Sequence, residues 1–392
     1  YKKIIVRIPN PIYADQKFLL RCFATRGVPL ALDYRHAEFK ASVLAFVRSM
    51  SEGDYEYRYS PSVTRPTLYS SVYACLILSL FGELEQLRAE ERRGWADYFD
   101  SFQSPDDGLF RDNAVLNKAY EECDWWGARH LIPHIMAAYA ALGTVPKHRF
   151  FYLDHFKSCD SISQWLDKER WDSVFAHSND VDNKIMNIAC SLQYERDFRG
   201  DASSGYAVSF IKDYLAKKVD AKTGLWGSAD VADQHALSRG VQFAYHLYSI
   251  YSYDGDDCLD RDTILDYALT TQNYLGGYGV MENSSACEDI DSLDLLCRLT
   301  TGACNRTQDV RRSVRRSLAW MFSNQNVDGG FVFRRNAPMV YGHSLMSSGK
   351  NESAMFPTWF RTLAIAYALN FLGESYYQFI RCPGYQFSGA RA

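Results

Sequence analysis

The sequence predicts an all-α fold, a single (α/α)6 toroid of six helical hairpins behind a short irregular or β N-terminal segment. Three observations predict it: a recurring helix–Gln–Gly–aromatic segment, six apolar helices that open on polar residues, and a 15% aromatic content placed with a period. The recurring segment occurs as Trp95 to Gln103 before Asp107-Gly108-Leu109-Phe110, as Leu265 to Gln272 before Gly277-Tyr278-Gly279, and as Leu318 to Gln325 before Asp328-Gly329-Gly330-Phe331. A weaker copy runs from Ala207 to Leu215 before Gly224-Leu225-Trp226. A degenerate unit, Ser161 to Tyr194, keeps Trp165 and Trp171 without the Gly–aromatic signature.

The second helices of the hairpins are expected at Thr64 to Gly82, Asp124 to Gly143, Asp180 to Tyr194, Asp230 to Tyr248, Glu288 to Leu299 and Glu352 to Gly373. Their openings are rich in Ser, Thr, Asn, Asp and Glu, as capping and the helix dipole favour. Runs such as Tyr73 to Phe81, Ile132 to Leu142 and Leu363 to Leu372 are apolar enough to form the inner layer of a double ring. Residues 1–35, with strand-like Ile4 to Ile8, are expected to precede the toroid as an edge ribbon or the remnant of an upstream domain. The toroid is expected over 36–375, with a C-terminal tail at 376–392. The sequence does not begin with Met, which leaves open that it is a piece of a longer protein.

Composition excludes several classes. With 47% hydrophobic and 23% charged residues and a net charge of −4, the chain reads as globular, not disordered or collagen-like. Nucleic acid is not an expected partner: the one basic cluster, Arg311, Arg312, Arg315 and Arg316, has helical spacing and reads as a solvated face. The longest apolar run, Val72 to Phe81, falls short of the ~20 residues a membrane span needs. Residues 1–9 carry no apolar segment of signal-peptide type. Ten cysteines without a C-x-x-C pair point to reduced, mostly buried thiols and a cytoplasmic setting, with disulfides left open. Oligomeric state is not legible.

In a toroid the openings of the inner helices converge at one mouth. They supply Thr64, Arg65 and Tyr69; Asp124, Trp125, Trp126, Arg129 and His130; Asp180, Asp182 and Asn183; Asp230, Asp233, Gln234, His235 and Arg239; Glu288, Asp289, Asp291 and Asp294; and Asn351, Glu352, Trp359 and Arg361. Any one acid here is most simply a cap. The four at 288–294 exceed what capping needs, and Asp294 stands in an apolar run where a carboxyl is raised toward general-acid range.

The Gln-x-x-Asp-Gly-Gly-Phe segment at 325–331 resembles the Gln-Trp repeats of the terpenoid cyclase and protein prenyltransferase superfamily. Asp289-Ile-Asp291-Ser292 resembles a degraded Asp-x-Asp-Asp motif of its class II cyclases. That resemblance implies an acid-initiated reaction of an isoprenoid in a central cavity. Asp291 would be the acid and Asp289 its electrostatic neighbour, with Trp125, Trp126, Tyr69 and Trp359 stabilising carbocations. Two departures count against it: Ser292 replaces the last aspartate, and class II cyclases build their cavity between two helical domains. The zinc site of the prenyltransferase branch would fall on Asp289, Asp291 and Pro357, which is no zinc triad, so neither metal nor other cofactor is expected.

An alternative is a glycan-processing enzyme or glycan-binding protein. Trp125 and Trp126 would stack on sugars, Glu288, Asp233 or Asp124 would share acid and base roles, and Arg129 or Arg239 would hold a uronate. A lyase would recruit His130 or His235. A third reading is a scaffold without catalysis. The candidate catalytic set is therefore Asp291, Asp289, Glu288 and Asp233. The candidate contacts to a small-molecule or oligosaccharide ligand are Trp125, Trp126, Arg129, His130, Tyr69, Arg239, His235, Trp359 and Arg361.

Overall fold

A computed structural model describes residues 5–7, 31–33, 35–171, 180–227, 231–256, 260–279, 281–300 and 304–384. Ile4 and Ile8 of the expected strand, Asp230, Cys22, Cys258 and the tail from 385 onward lie outside the described residues.

Short strands β1 (Ile5–Arg7) and β2 (Ala31–Asp33) pair in parallel. They are followed by α1 (His36–Ser49), an antiparallel pair β3 (Ser51–Gly53) and β4 (Glu56–Tyr57), and α2 (Leu68–Leu80). Next come α3 (Ala89–Asp100), the short α4 (Lys118–Glu122), α5 (Ala128–Leu142), α6 (Cys159–Leu166), α7 (Val181–Arg199), α8 (Ala202–Ala216) and α9 (Gln234–Asp254). The chain continues through α10 (Arg261–Thr270), α11 (Ala286–Leu299), α12 (Thr307–Phe322), a hairpin of β5 (Met339–Tyr341) and β6 (His343–Ser348), and α13 (Met355–Leu372). Among the described residues the helices follow one another as six successive pairs, α1–α2, α3–α5, α6–α7, α8–α9, α10–α11 and α12–α13, with the short α4 between α3 and α5.

Two compact units share these elements. Unit 1 comprises Tyr1–Phe81 and Leu265–Tyr377, and unit 2 comprises Gly82–Ile264 and Gln378–Arg391. The second helices are the apolar ones: α2 is buried at every position except Leu78, and α13 is buried from Met355 to Leu369.

Local chemistry fixes where the helices begin. Pro66 disfavours helix at the residue before it, so α2 waits for Thr67, whose hydroxyl accepts from the Ser70 amide. Gly127 holds φ +100°, with the place of a Cβ only 2.1 Å from the Tyr120 carbonyl oxygen, so α5 starts at Ala128 and not at Asp124. Ser285 and Glu288 form a capping box, which moves the start of α11 two residues ahead of the expected Glu288.

The repeat signature is a hydrogen-bonded staple. Gln103 Nε2 donates to the Gly108 carbonyl at 3.0 Å and across to the His148 carbonyl at 2.8 Å in unit 2. In unit 1, Gln272 does the same to Gly276 and to Ser313 on α12, and Gln325 to Gly329 and to Ser42 Oγ on α1. Each glutamine thus closes its own turn and ties it to the next hairpin. The weaker copy has Val219 where the others have glutamine, and keeps only the backbone bridge to Trp226.

Arg312, Arg315 and Arg316 are exposed, as a solvated face requires, and the half-buried Arg311 adds a structural role: it donates to the Phe371 and Leu372 carbonyls that end α13, and Arg316 donates to the Asn273 and Tyr274 carbonyls. Bare helix-terminal and turn carbonyls need donors, and arginine supplies several from one side chain. The β5–β6 hairpin was not expected at all. Its trace in the sequence is the inward, outward, inward alternation of Met339, Val340 and Tyr341 before Gly342.

Among the described residues no helix is long and apolar enough to cross a membrane. The eight described cysteines are free thiols; Cys75, Cys190 and Cys382 are buried and Cys159 is exposed.

Candidate functional site

In unit 1 the capping box sets the rotation of α11. Cys287, Asp291, Asp294 and Arg298 then recur at steps of four, three and four residues and share one face of the helix. Asp289 falls on another face, where every acceptor position is taken. Its Oδ1 accepts from the Tyr278 amide at 3.0 Å and Ser284 Oγ at 2.8 Å, and its Oδ2 from Trp320 Nε1 at 2.8 Å and Arg361 Nη1 at 2.7 Å. Arg361, fully buried, also donates to the carbonyls of Val332, Phe333 and Ser284. Burial pushes the Asp289 carboxyl up and the Arg361 guanidinium down, each against the pull of the other. A guanidinium remains charged even so, and opposite it Asp289 remains a carboxylate.

Glu288 is similarly engaged, in the capping box with Ser285 and with Arg334 at 3.0 Å. Asp291 is 5% exposed and lies within electrostatic reach of Cys287, whose thiol is pushed well up by burial and then by Asp291 and Glu288. One turn deeper, Asp294 Oδ1 accepts from Arg298 Nε at 2.6 Å, while its buried Oδ2 receives no hydrogen bond among the described residues. Burial pushes the Asp294 carboxyl up, with Arg298 opposing.

An aromatic wall stands at the openings of α2 and α13. Tyr341 of β5 stacks on Phe356 with centroids 4.4 Å apart, Phe356 meets Phe360 edge-on at 4.4 Å, and Tyr73 lies 5.6 Å from Phe356 and 5.8 Å from Tyr69. The Met355 amide donates to the Tyr59 carbonyl, and the Tyr59 hydroxyl points to Met339 Sδ at 3.6 Å. Trp359 is wholly buried and its Nε1 has no hydrogen-bond acceptor among the described residues.

In unit 2 the openings of α5, α7 and α9 meet. The Asp124 amide donates to Asp180 Oδ2, and Asn187 Nδ2 donates to the Asp124 carbonyl. Arg129 holds the Asp124 carboxylate at 2.6 Å and the Glu121 and Glu122 carbonyls, fixing the α4–α5 connection. Asp182 accepts from Arg239 through both oxygens, at 2.6 and 2.7 Å, and from His246 Nδ1 at 2.8 Å. Burial opposes its charge, yet Arg239 and His246 hold the Asp182 carboxyl well below the usual range. His130 and His134, one turn apart on α5 with ring centroids at 5.1 Å, are kept neutral; burial lowers His130 to about 3.

The other predicted residues are dispersed. Trp126 is fully buried edge-on to Tyr120, whereas its neighbour Trp125 is 43% exposed. Asp233 caps α9 through the His235 amide, and both residues are exposed. Tyr69, Trp359 and Arg361 are interior. Sequence reasoning missed His246. Its signal was the seven-residue spacing from Arg239, two helical turns on one face of α9. Among the described residues no group of three or more His, Cys, Asp or Glu side chains is arranged to hold a metal ion.

No protein-family model matches the chain, and no curated protein matches it. Solved structures do. A family 88 glycosyl hydrolase from Bacteroides vulgatus is 11% identical, with a TM-score of 0.50 over 86% of this chain and 100% of that one. The chain shares the all-α toroid fold. A GH76 alpha-mannanase from Bacteroides thetaiotaomicron is 10% identical, with a TM-score of 0.47 over 87% of this chain and 98% of that one. ent-Copalyl diphosphate synthase from Streptomyces platensis is 17% identical, with a TM-score of 0.42 over 79% of this chain; the chain spans about half, 51%, of that protein's length. Likeness at this level of identity concerns the fold alone.

Proposed function

We propose that the protein is an enzyme of the toroid type and that unit 1 carries out an acid-initiated reaction on an apolar, alkene-bearing isoprenoid, with Asp291 as the proton donor. The observation that carries this reading is the division of labour along α11. Asp289 is engaged by four donors and Glu288 by its cap and Arg334, while Asp291, 5% exposed, shares a helix face with Cys287 and Asp294. Protonating an alkene requires a carboxylic acid that is itself protonated. A carbocation formed in unit 1 would be stabilised by π faces such as those of Tyr69, Tyr73, Tyr341 and Phe356. The resemblance of Asp289-Ile-Asp291-Ser292 to the cyclase motif assigns Asp291 the same role.

The test incubates the purified chain with C15 and C20 isoprenoid diphosphates and with epoxysqualene, and reads products by gas chromatography and mass spectrometry. Asp291→Asn is expected to lower turnover by about 10²–10⁴-fold, the usual worth of a positioned general acid. Full activity in that variant would remove Asp291 from the mechanism. A glycan reading retains one supporting observation, the exposure of Trp125, whose indole face would suit a sugar ring. Binding of oligosaccharides that is lost in Trp125→Ala would favour it.

A further inference from the structure

We propose that unit 2 contains a separate hydrogen-bonding site for a neutral, hydroxyl-bearing ligand, with His246 Nε2 as the acceptor and Asp182 and Arg239 as its positioning residues. The inference rests on unit 2 alone and is independent of the role of Asp291. Asp182 comes from α7 and is fully buried; Arg239 and His246 come from α9. Both carboxylate oxygens of Asp182 are held by Arg239, so the carboxylate cannot turn away from the imidazole.

The tautomer follows from this arrangement. An ionised carboxylate only accepts, so the 2.8 Å contact requires His246 Nδ1 to carry the hydrogen. In the neutral imidazole the lone pair is then on Nε2. No group among the described residues bonds that nitrogen, and the side chain retains 12% exposure. A carboxylate behind an imidazole also strengthens the far nitrogen as an acceptor.

Charge selects the ligand. Asp182 and Arg239 cancel, and the imidazoles facing the cluster from α5, His130 and His134, are neutral, as burial lowers both. Tyr245, beside His246 on α9 with ring centroids at 5.2 Å, adds no charge. A phosphate, carboxylate or ammonium group would bring an uncompensated charge into this nearly dry place, which is costly. What fits opposite Nε2 is a neutral donor, and the O–H of an alcohol or sugar is the strongly polarised one.

The experiment uses the full chain and saturation-transfer NMR with three probes of matched size: methyl glucopyranoside, glucuronate and glucosamine. The expected result is saturation of the neutral pyranoside, binding at least tenfold weaker for the two charged probes, and a tenfold or greater loss in His246→Ala. His246→Gln, which offers a carbonyl acceptor, is expected to retain part of the binding, and near-ultraviolet circular dichroism checks that both variants are folded. Imidazole ¹⁵N spectra should show Nε2 of His246 as an unprotonated, pyridine-type nitrogen. The proposal is overturned if no neutral pyranoside binds, if a charged probe binds as tightly, if His246→Ala changes nothing, or if Nε2 carries the hydrogen.

Discussion

Replacing Asp289 by Asn tests whether this residue is a structural anion or part of the reacting machinery. The change is isosteric and opens no cavity, so its cost is electrostatic. With the amide oxygen toward Tyr278 and Ser284, the new NH2 meets the N–H groups of Trp320 and Arg361; flipped, it meets the Tyr278 amide and Ser284 instead. Either way a fully buried guanidinium loses its counter-charge. Breaking a buried pair from one side costs about 3–5 kcal/mol. For a unit of this size each kcal/mol lowers the melting temperature by about 2–4 °C, so the variant should melt about 6–20 °C below the wild type. Scanning calorimetry of both proteins at neutral pH measures it. The double variant Asp289→Leu/Arg361→Met should recover part of the loss, giving a coupling energy of about 0.5–3 kcal/mol. It should not recover everything, because the carbonyls of Val332, Phe333 and Ser284 lose their donor. A single variant melting within 2 °C of wild type, on the order of half a kcal/mol, would refute the structural assignment.

Gly329→Ala should destabilise unit 1 far more than a surface glycine would. Gly329 holds φ +91°, and a Cβ there would lie 1.9 Å from the Ser42 carbonyl oxygen of α1, so backbone must move; urea unfolding should show a loss above the roughly 1 kcal/mol of an unstrained exchange. Acid should weaken unit 2 in two stages. His130 has a folded pKa of about 3, below its unfolded value of 6.5, so the unfolded chain binds the extra proton and stability falls as pH drops between those values. Its share of the slope is at most about 1.4 kcal/mol per pH unit, and His130→Phe should remove it from denaturation curves taken at pH 4.5–6.5. Asp182, held below the usual carboxylate range, contributes stability above its unfolded pKa that is lost only as pH falls through its folded value, which is a later stage.

Much of the fold was legible because its signals are local. Capping residues, the Gln–Gly–aromatic segment and the apolar runs each act within a turn or two of their own position, and they mark the hairpins directly. Two of the helix starts were displaced for equally local reasons, Pro66 and Gly127, which a stricter reading of backbone constraints would have caught. The site was less legible. A list of polar openings could name Asp289, Arg361, Asp182 and Arg239, but could not say that they are partners.

The sequence by itself determined the class of fold and the positions of its hairpins, since helix period, caps and left-handed glycines are properties of short segments. The tertiary structure alone decided which carboxylates meet which cations in ion pairs. Asp289 meets Arg361 across 72 residues, and Asp182 meets His246 across 64. Those pairings depend on how helices of different hairpins rotate and pack, and the burial that follows sets the charge state of each group. Asp291 and Asp289, two residues apart in one motif, are turned to different surroundings by the 200° of helix between them, about 100° per residue.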